Sequence, residues 1–517
     1  MERLSEIVIL GGGSAGWITA GLIAAQYNRA GSNDIRVTLI ESPNHEPIGV
    51  GEGTWPTLRT TLLKIGITET EFFRECDASF KQGAKFAKWV TGKEDDYYYH
   101  PLMLPQNFGK VDLPLYWNEA TNNGVIRSSF SDAVCIQEAI CEAGLAPKKI
   151  TTAEYGYIAN YAYHIDSAKL GIMLQKHCVE KLGVCHMLDD VAGVNAHENG
   201  DIKSLHLKSG RVLEGDLFVD CTGFSSLLLG QHYGVPFINK SDVLFTDTAI
   251  ATHVPYERED SPIASHTIST AQKAGWIWDI GLPTRRGVGY VYSSQHTSED
   301  AAMAEYEKYI GDNFSKLEVR KIPITSGHRQ KFWVNNCVAV GLSAGFLEPL
   351  EASALVLIEL SAEFIASQLP PSRDVMDITA QRFNKIFQYR WDRIIDFLKL
   401  HYVLTKRTDS DFWIDNCQPE TIPQSLLDQM ELWKYRTPND SDFDSTHEVF
   451  PAASYQYVLY GMGFSIHPAF DLRKDNAQAL ARSTFLKVEA LKQKVLSELP
   501  TNRDLIDKVQ KYGMQRV

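Results

Sequence analysis

The chain has no long apolar run. Nowhere in its 517 residues do apolar side chains approach the ~20 in succession that a membrane-crossing helix needs. The short run at the N-terminus, Ile7-Val8-Ile9-Leu10, meets glycine at once, so no secretory leader is expected. An excess of positive charge is also missing: 51 Lys and Arg face 64 Asp and Glu, for a formal net charge of −13. A nucleic-acid-binding surface, which works by displacing counterions with basic side chains, is therefore not expected. Paired cysteines are absent too. The eight at 76, 135, 141, 178, 185, 221, 337 and 417 form no CxxC, and the closest are six and seven residues apart. That spacing suits neither a zinc site nor a disulfide framework, so no metal is expected and the thiols read as reduced, in a cytoplasmic protein. Internal repeats and low-complexity segments are missing as well.

What remains is an ordinary globular composition, 44% apolar and 22% charged, long enough for two or three domain-sized units. The first forty residues carry the clearest pattern. Ile7-Val8-Ile9-Leu10 reads as a buried parallel strand, Trp17 to Tyr27 as a helix, and Ile35 to Ile40 as a second strand ending at Glu41. Between the first strand and the helix stands Gly11-Gly12-Gly13-Ser14-Ala15-Gly16. This fits GxGxxG: Gly11 permits the tight turn, Gly13 admits a pyrophosphate to the backbone, and Gly16 lets the helix pack on the sheet. The free N–H groups of Ser14 and Ala15 and the helix dipole favour phosphate. Glu41 is placed to accept hydrogen bonds from a ribose.

Two later turns suit the same crevice. Arg211 to Asp220 reads as one strand followed by Asp220-Cys221-Thr222-Gly223. Cys337 to Gly341 reads as another, after which Gly341-Leu342-Ser343-Ala344-Gly345-Phe346 could open a second helix. Three such turns spread over two-thirds of the chain favour FAD over a compact NAD domain. Thr248 to Tyr292 alternates apolar and polar residues as antiparallel strands do. From Ile365 onward the spacing is helical, broken at Pro370-Pro371-Ser372 and Thr437-Pro438-Asn439-Asp440.

Four segments together resemble the flavin-dependent tryptophan halogenases: the glycine turn with Trp17 directly after it; Gly49-Val50-Gly51-Glu52-Gly53-Thr54-Trp55-Pro56; Trp276-Ile277-Trp278-Asp279-Ile280, similar to the family's WxWxIP; and Glu348-Pro349-Leu350-Glu351-Ala352-Ser353, similar to its EPLES segment. The likeness spans most of the chain in the family's order. It departs where Gly281 follows Ile280, where Ala352 follows the glutamate, and at Ala354.

The resemblance implies an α/β fold with α+β elements. A Rossmann-like FAD module of the glutathione-reductase/monooxygenase type would carry an antiparallel substrate-side sheet and a mostly helical C-terminal lobe. The module would cover residues 1–365, with about 80–200 and 235–330 inserted, and the lobe 366–517. The resemblance further implies that reduced FAD and O2 oxidise chloride or bromide to hypohalous acid, which reaches a lysine beside an electron-rich aromatic substrate. Lys81 matches that lysine and Glu351 the carboxylate that stabilises the ring cation and takes its proton. Cofactor contacts are expected from Gly11, Gly13, Ser14, Ala15, Gly16, Glu41, Gly51, Glu52, Asp220, Gly341 and Leu350. Halide is expected at the backbone N–H groups of Ser353 and Ala354. Trp276, Trp278, His100, Phe450 and Tyr455 fall on the substrate side, with His100 and Phe450 able to sandwich a flat ring.

Read without the family, Lys81, Lys85 and Lys88 would share one face of a solvated helix, and Glu351 would be a first-turn acid favouring a helix dipole. Tryptophan, an indole or a phenol-like ring are the substrates in view. A separate NAD(P)H-dependent flavin reductase and a homodimer complete the expected partners. An FAD-dependent aromatic hydroxylase and a non-catalytic flavin-binding protein are the alternatives.

Overall fold

The computed structural model describes residues 3–28, 34–44, 51–467 and 477–516; Gly49 and Val50 of the second motif lie outside them. The chain divides into two compact units, each assembled from three stretches. The first comprises Met1–Ala78, Ile165–Lys240 and Thr325–Trp391; the second comprises Ser79–His164, Ser241–Ile324 and Asp392–Val517. The boundaries at 164 and 391 differ from those expected near 200 and 365.

The first unit is built on a six-stranded sheet in the order Trp333–Val334, Cys337–Ala339, Leu217–Asp220, Glu6–Leu10, Arg36–Glu41, Cys185–Leu188. All neighbours are parallel except the first pair. Ile7, Ile9, Val37, Leu39 and Ile40 are fully buried, as expected for strands covered on both faces. The helix Ser14–Tyr27 is apolar almost all round and packs against the helices Ser167–Leu182 and Ser353–Ser367.

Two local expectations change. Residues 211–220 form two strands, Val212–Glu214 and Leu217–Asp220, because the chain turns at Gly215 and Asp216 to pass from a small antiparallel sheet into the main one. No α-helix opens at Gly341. A 3-10 turn, Gly341–Ser343, leads through Gly345–Phe346 to a second 3-10 turn, Pro349–Glu351, and the helix starts only at Ser353. Ala352, at φ +55°, breaks the helical path between turn and helix.

The second unit holds a seven-stranded sheet in the order Arg320–Pro323, Thr248–Pro255, Arg285–Tyr292, Gly275–Gly281, Thr267–Ala271, Gly83–Ala87, Tyr97–Pro101. Only Thr267–Ala271 and Gly83–Ala87 run parallel. Strand alternation sorts the side chains to two faces. Ile250, Val254, Ile277, Val288 and Tyr290 pack under Ala302 and Tyr306 of the helix Glu299–Ile310. The opposite face carries Trp276 and Trp278. Beyond residue 391 the described chain is mostly helical, with Gln424–Trp433, Ala452–Gly461, Gln478–Glu498 and Asn502–Tyr512 as its main helices. Among the described residues no helix is long and apolar enough to cross a membrane.

Candidate active site

In the first unit the glycine turn is shaped by what cannot fit there. Gly11 has φ +116°, and a Cβ on it would sit 2.1 Å from the carbonyl oxygen of Cys221. A Cβ on Gly16 would lie 1.9 Å from the Gly11 carbonyl. At Gly13, by contrast, an added Cβ meets nothing within 4 Å, so the turn is open on the side where the helix begins. Gly13 is also the N-cap of that helix, and no side chain caps it. The first-turn N–H groups of Ser14 and Ala15 therefore have no side-chain acceptor at the cap, which suits a pyrophosphate. Glu41 ends the second strand directly over Gly12, where a Cβ would come 2.2 Å from its carboxyl carbon. One of its oxygens is 2.9 Å from Nε2 of His186, a partner the sequence did not suggest. Gly341, at φ +72°, places its backbone against Ala15, 2.8 Å from a notional Cβ. These residues fit a dinucleotide.

Asp220 ends the neighbouring parallel strand, with its side chain engaged by the protein. Its carboxylate accepts from the N–H groups of Thr222, Leu228 and Leu229 and from the hydroxyls of Thr222 and Ser343. It organises the turn after its strand, and its acceptor sites are committed to the protein.

The second motif and the glutamate segment meet within the same unit. The indole N–H of Trp55 donates to the Glu351 carbonyl at 2.8 Å. Glu359, two turns into the helix after Glu351, receives hydrogen bonds from Thr61 at 2.5 Å and Thr57 at 3.1 Å, on the helix that follows Trp55. Burial pushes the Glu359 carboxyl up to about 7, against those two hydroxyls, which pull it down. A lone carboxylate in the apolar run Leu355 to Leu360 was the available sign of this tie, and the sequence reading passed over it. Gly51 has φ +119°, and burial raises the carboxyl of its neighbour Glu52 despite the Ser167 hydroxyl beside it. Leu350 and Glu351 are buried in the 3-10 turn. Ser353 and Ala354 begin a 15-residue helix whose N-terminus no side chain caps.

In the second unit Lys81 is 4% exposed and lies on the strand Ser79–Lys81. The helical reading of Lys81, Lys85 and Lys88 is thereby corrected. Gly83, at φ +145°, starts a new strand so close to its neighbour that a Cβ would come 2.6 Å from the His100 carbonyl. The three lysines diverge: Lys85 pairs with Glu142 at 2.6 Å and Lys88 with Glu94 at 2.5 Å.

Trp276 and Trp278 share a face, their ring centroids 6.3 Å apart, and Trp276 also neighbours Trp89. The Trp278 indole lies flat over Gly289, where a Cβ would fall 2.0 Å from the ring. A glycine inside a strand signals such an approach, but its partner could not be named from sequence. His100, Phe450 and Tyr455 do come together, in the same unit. His100 Nε2 is 2.9 Å from the Ser454 hydroxyl, and Phe397 stacks on Phe450 at 3.8 Å while lying 5.6 Å from His100 and 4.9 Å from Tyr455. His100 and Phe450 stand 6.4 Å apart and tilted by 46°, with Phe397 beside both rings. Among the described residues no cluster of His, Cys, Asp and Glu could hold a metal.

Residues 6–475 match the tryptophan halogenase family model. The chain is 32% identical over 531 residues to the tryptophan 6-halogenase ThaL of Streptomyces albogriseolus, covering 98% of each. It is 33% identical over 426 residues to the tryptophan 7-halogenase RebH of Lentzea aerocolonigenes, covering 80% of this chain and 79% of that one. A crystal structure of a tryptophan halogenase from Shewanella frigidimarina shares its fold with a TM-score of 0.96 at 48% identity, covering 100% of this chain and 99% of the other. With a family model matched over residues 6–475 and relatives at 30% identity or more along most of its length, the chain belongs to the flavin-dependent tryptophan halogenase family.

Proposed function

We propose that this halogenase places a halogen on an electron-rich aromatic ring, an indole or phenol-like compound with tryptophan among them, through hypohalous acid handed to Lys81. FAD, when bound and reduced, supplies with O2 the oxidising equivalents that turn chloride or bromide into hypohalous acid. Gly11 to Gly16 hold its pyrophosphate on backbone N–H groups, Glu41 accepts from its ribose, and Gly51, Glu52, Gly341 and Leu350 line its path. The uncapped N–H groups of Ser353 and Ala354 hold the halide. Lys81 donates a hydrogen bond to the hypohalous acid, or carries its halogen as a haloamine, and so aims the electrophile. Glu351 stabilises the ring cation and takes the departing proton. Trp276 and Trp278 keep flavin and substrate apart. A separate NAD(P)H-dependent reductase delivers the reduced flavin, in the cytoplasm, where the chain's eight free thiols stay reduced.

The observation that carries this reading is the burial of Lys81, the residue that the sequence resemblance matches to the family's lysine and for which a surface role would not require burial. The test supplies reduced FAD, bromide and an indole panel and reads products by mass. Lys81→Ala, with FAD still bound, is expected to lose bromination by about a hundredfold or more. Undiminished bromination in that variant, or a parent product that gains oxygen in place of bromine, rejects the proposal.

A further inference from the structure

The strand that carries Lys81 pairs antiparallel with Ala162–Ile165, Ser79 opposite His164 and Lys81 opposite Ala162. Alternation puts Ser79, Lys81, Ala162 and His164 on one face. Lys81 and His164 are thus diagonal neighbours, a relation that separates Cβ atoms by about 7 Å. His164 is fully buried. Its Nε2 stands 2.8 Å from the hydroxyl of Thr267, while Nδ1 is buried with no hydrogen-bond partner among the described residues. Burial holds the imidazole well below the usual histidine range, and the charges of Lys81 and His266 add to that. A neutral imidazole whose Nε2–H donates to Thr267 has a bare acceptor at Nδ1. A buried polar atom of this kind needs a partner or a reason.

We infer that His164 is a positioning residue for Lys81: its Nδ1 accepts, through one ordered water, a hydrogen bond from the Lys81 ammonium and fixes the direction in which the amine points. The inference rests on the role proposed above for Lys81. Thr267 sets the orientation of the ring, and the ring sets the lysine. Nothing in the chain's composition or spacing indicated this histidine.

The two amide isosteres of histidine separate the roles of its nitrogens. Asn places an acceptor near Nδ1, whereas Gln reaches only toward Nε2 and Thr267. The full-length protein, loaded with prereduced FAD and bromide, is mixed with oxygen and indole, and brominated indole is counted per flavin reoxidised. His164→Gln is expected to lower that yield and kcat by about tenfold, with the KM for indole and the rate of flavin reoxidation unchanged, and His164→Asn to restore most of the loss. Equal loss in both variants, or none in either, overturns the inference. Should His164→Gln fail to fold, Thr267→Val decides instead, because it removes the anchor without touching the ring; an unchanged yield there counts against the proposal.

A second measurement needs no cofactor. The 15N resonances of His164, assigned by difference against His164→Asn, are expected to show a neutral ring protonated at Nε2. An imidazolium, or a proton on Nδ1, overturns the inference. Lys81→Ala distinguishes the two levels of argument. If it still brominates, the reading of Lys81 fails; if it is dead while both His164 variants match the parent, only the inference about His164 fails.

Discussion

The glycine cradle of the first unit, open at Gly13, and the buried lysine strand of the second are specified by opposite means. The cradle is backbone chemistry. Its residues are fixed by the absence of a Cβ at Gly11 and Gly16 and by N–H groups that any side chain would leave unchanged. The lysine strand is side-chain chemistry, in which Lys81, His164 and Thr267 each matter for an atom they project. A site made of backbone announces itself in local sequence, because its glycines must be contiguous. A site made of side chains on separate strands does not, since its members are spread over more than 180 residues of the chain.

The sharpest way to break that contrast is at Gly16. A Cβ there would lie 1.9 Å from the Gly11 carbonyl, and Gly16→Val is expected to cost about 3 kcal/mol or more and abolish FAD binding. Fluorescence titration with FAD and thermal unfolding measure both; parent-like affinity in this variant would erase the distinction.

Glu359 comes next. Its carboxyl, about 7 when folded against 4.5 as the reference value, keeps its proton in the folded protein while the unfolded chain loses it. Its contribution to stability is therefore fully present below pH 4.5, is lost as pH rises from 4.5 to 7, and is flat above. The difference amounts to roughly 3 kcal/mol at about 1.4 kcal/mol per pH unit. Glu359→Gln, which keeps an acceptor for Thr61, is expected to be more stable than the parent at pH 8 and to show a flatter melting profile between pH 5 and 8. An unaltered pH profile would remove Glu359 from the account.

Gly289 sharpens the comparison from the other side, as a glycine that serves a side chain. Gly289→Val must push the Trp278 ring off its platform. It is expected to destabilise by about 1–3 kcal/mol and to lower halogenated product per flavin oxidised more than it lowers FAD affinity. The smallest effect is expected at Ser454, whose hydroxyl meets His100. Ser454→Ala should cost about 1 kcal/mol and raise the KM for indole a few-fold while leaving kcat alone, in steady-state assays.

These cases also mark how far the sequence could be read. The βαβ start, the antiparallel run from Thr248 to Tyr292 and the helical tail were legible, because each is a local period in apolar residues. The lysines at 81, 85 and 88 misled: their helical spacing is an accident of two short strands broken at Gly83. Asp220 marks a different limit. An acid at the end of a parallel strand looks poised for a ligand, and only coordinates reveal that five donors of the protein already claim it. His100 and Phe450 are neighbours, and the ring that packs beside both, Phe397, comes from a distant helix that no local pattern could supply.

The threefold interleaving of the two units has a consequence for synthesis. The strand at residues 83–87 needs Thr267–Ala271 beside it, and a ribosome adding 5–20 residues per second delivers that partner only after roughly 10–40 s. Until then the edge of that strand opposite Tyr97–Pro101 has nothing to pair with. Production of this enzyme should accordingly depend on chaperone supply and translation speed, and neither unit can be expressed by cutting the gene at a single point.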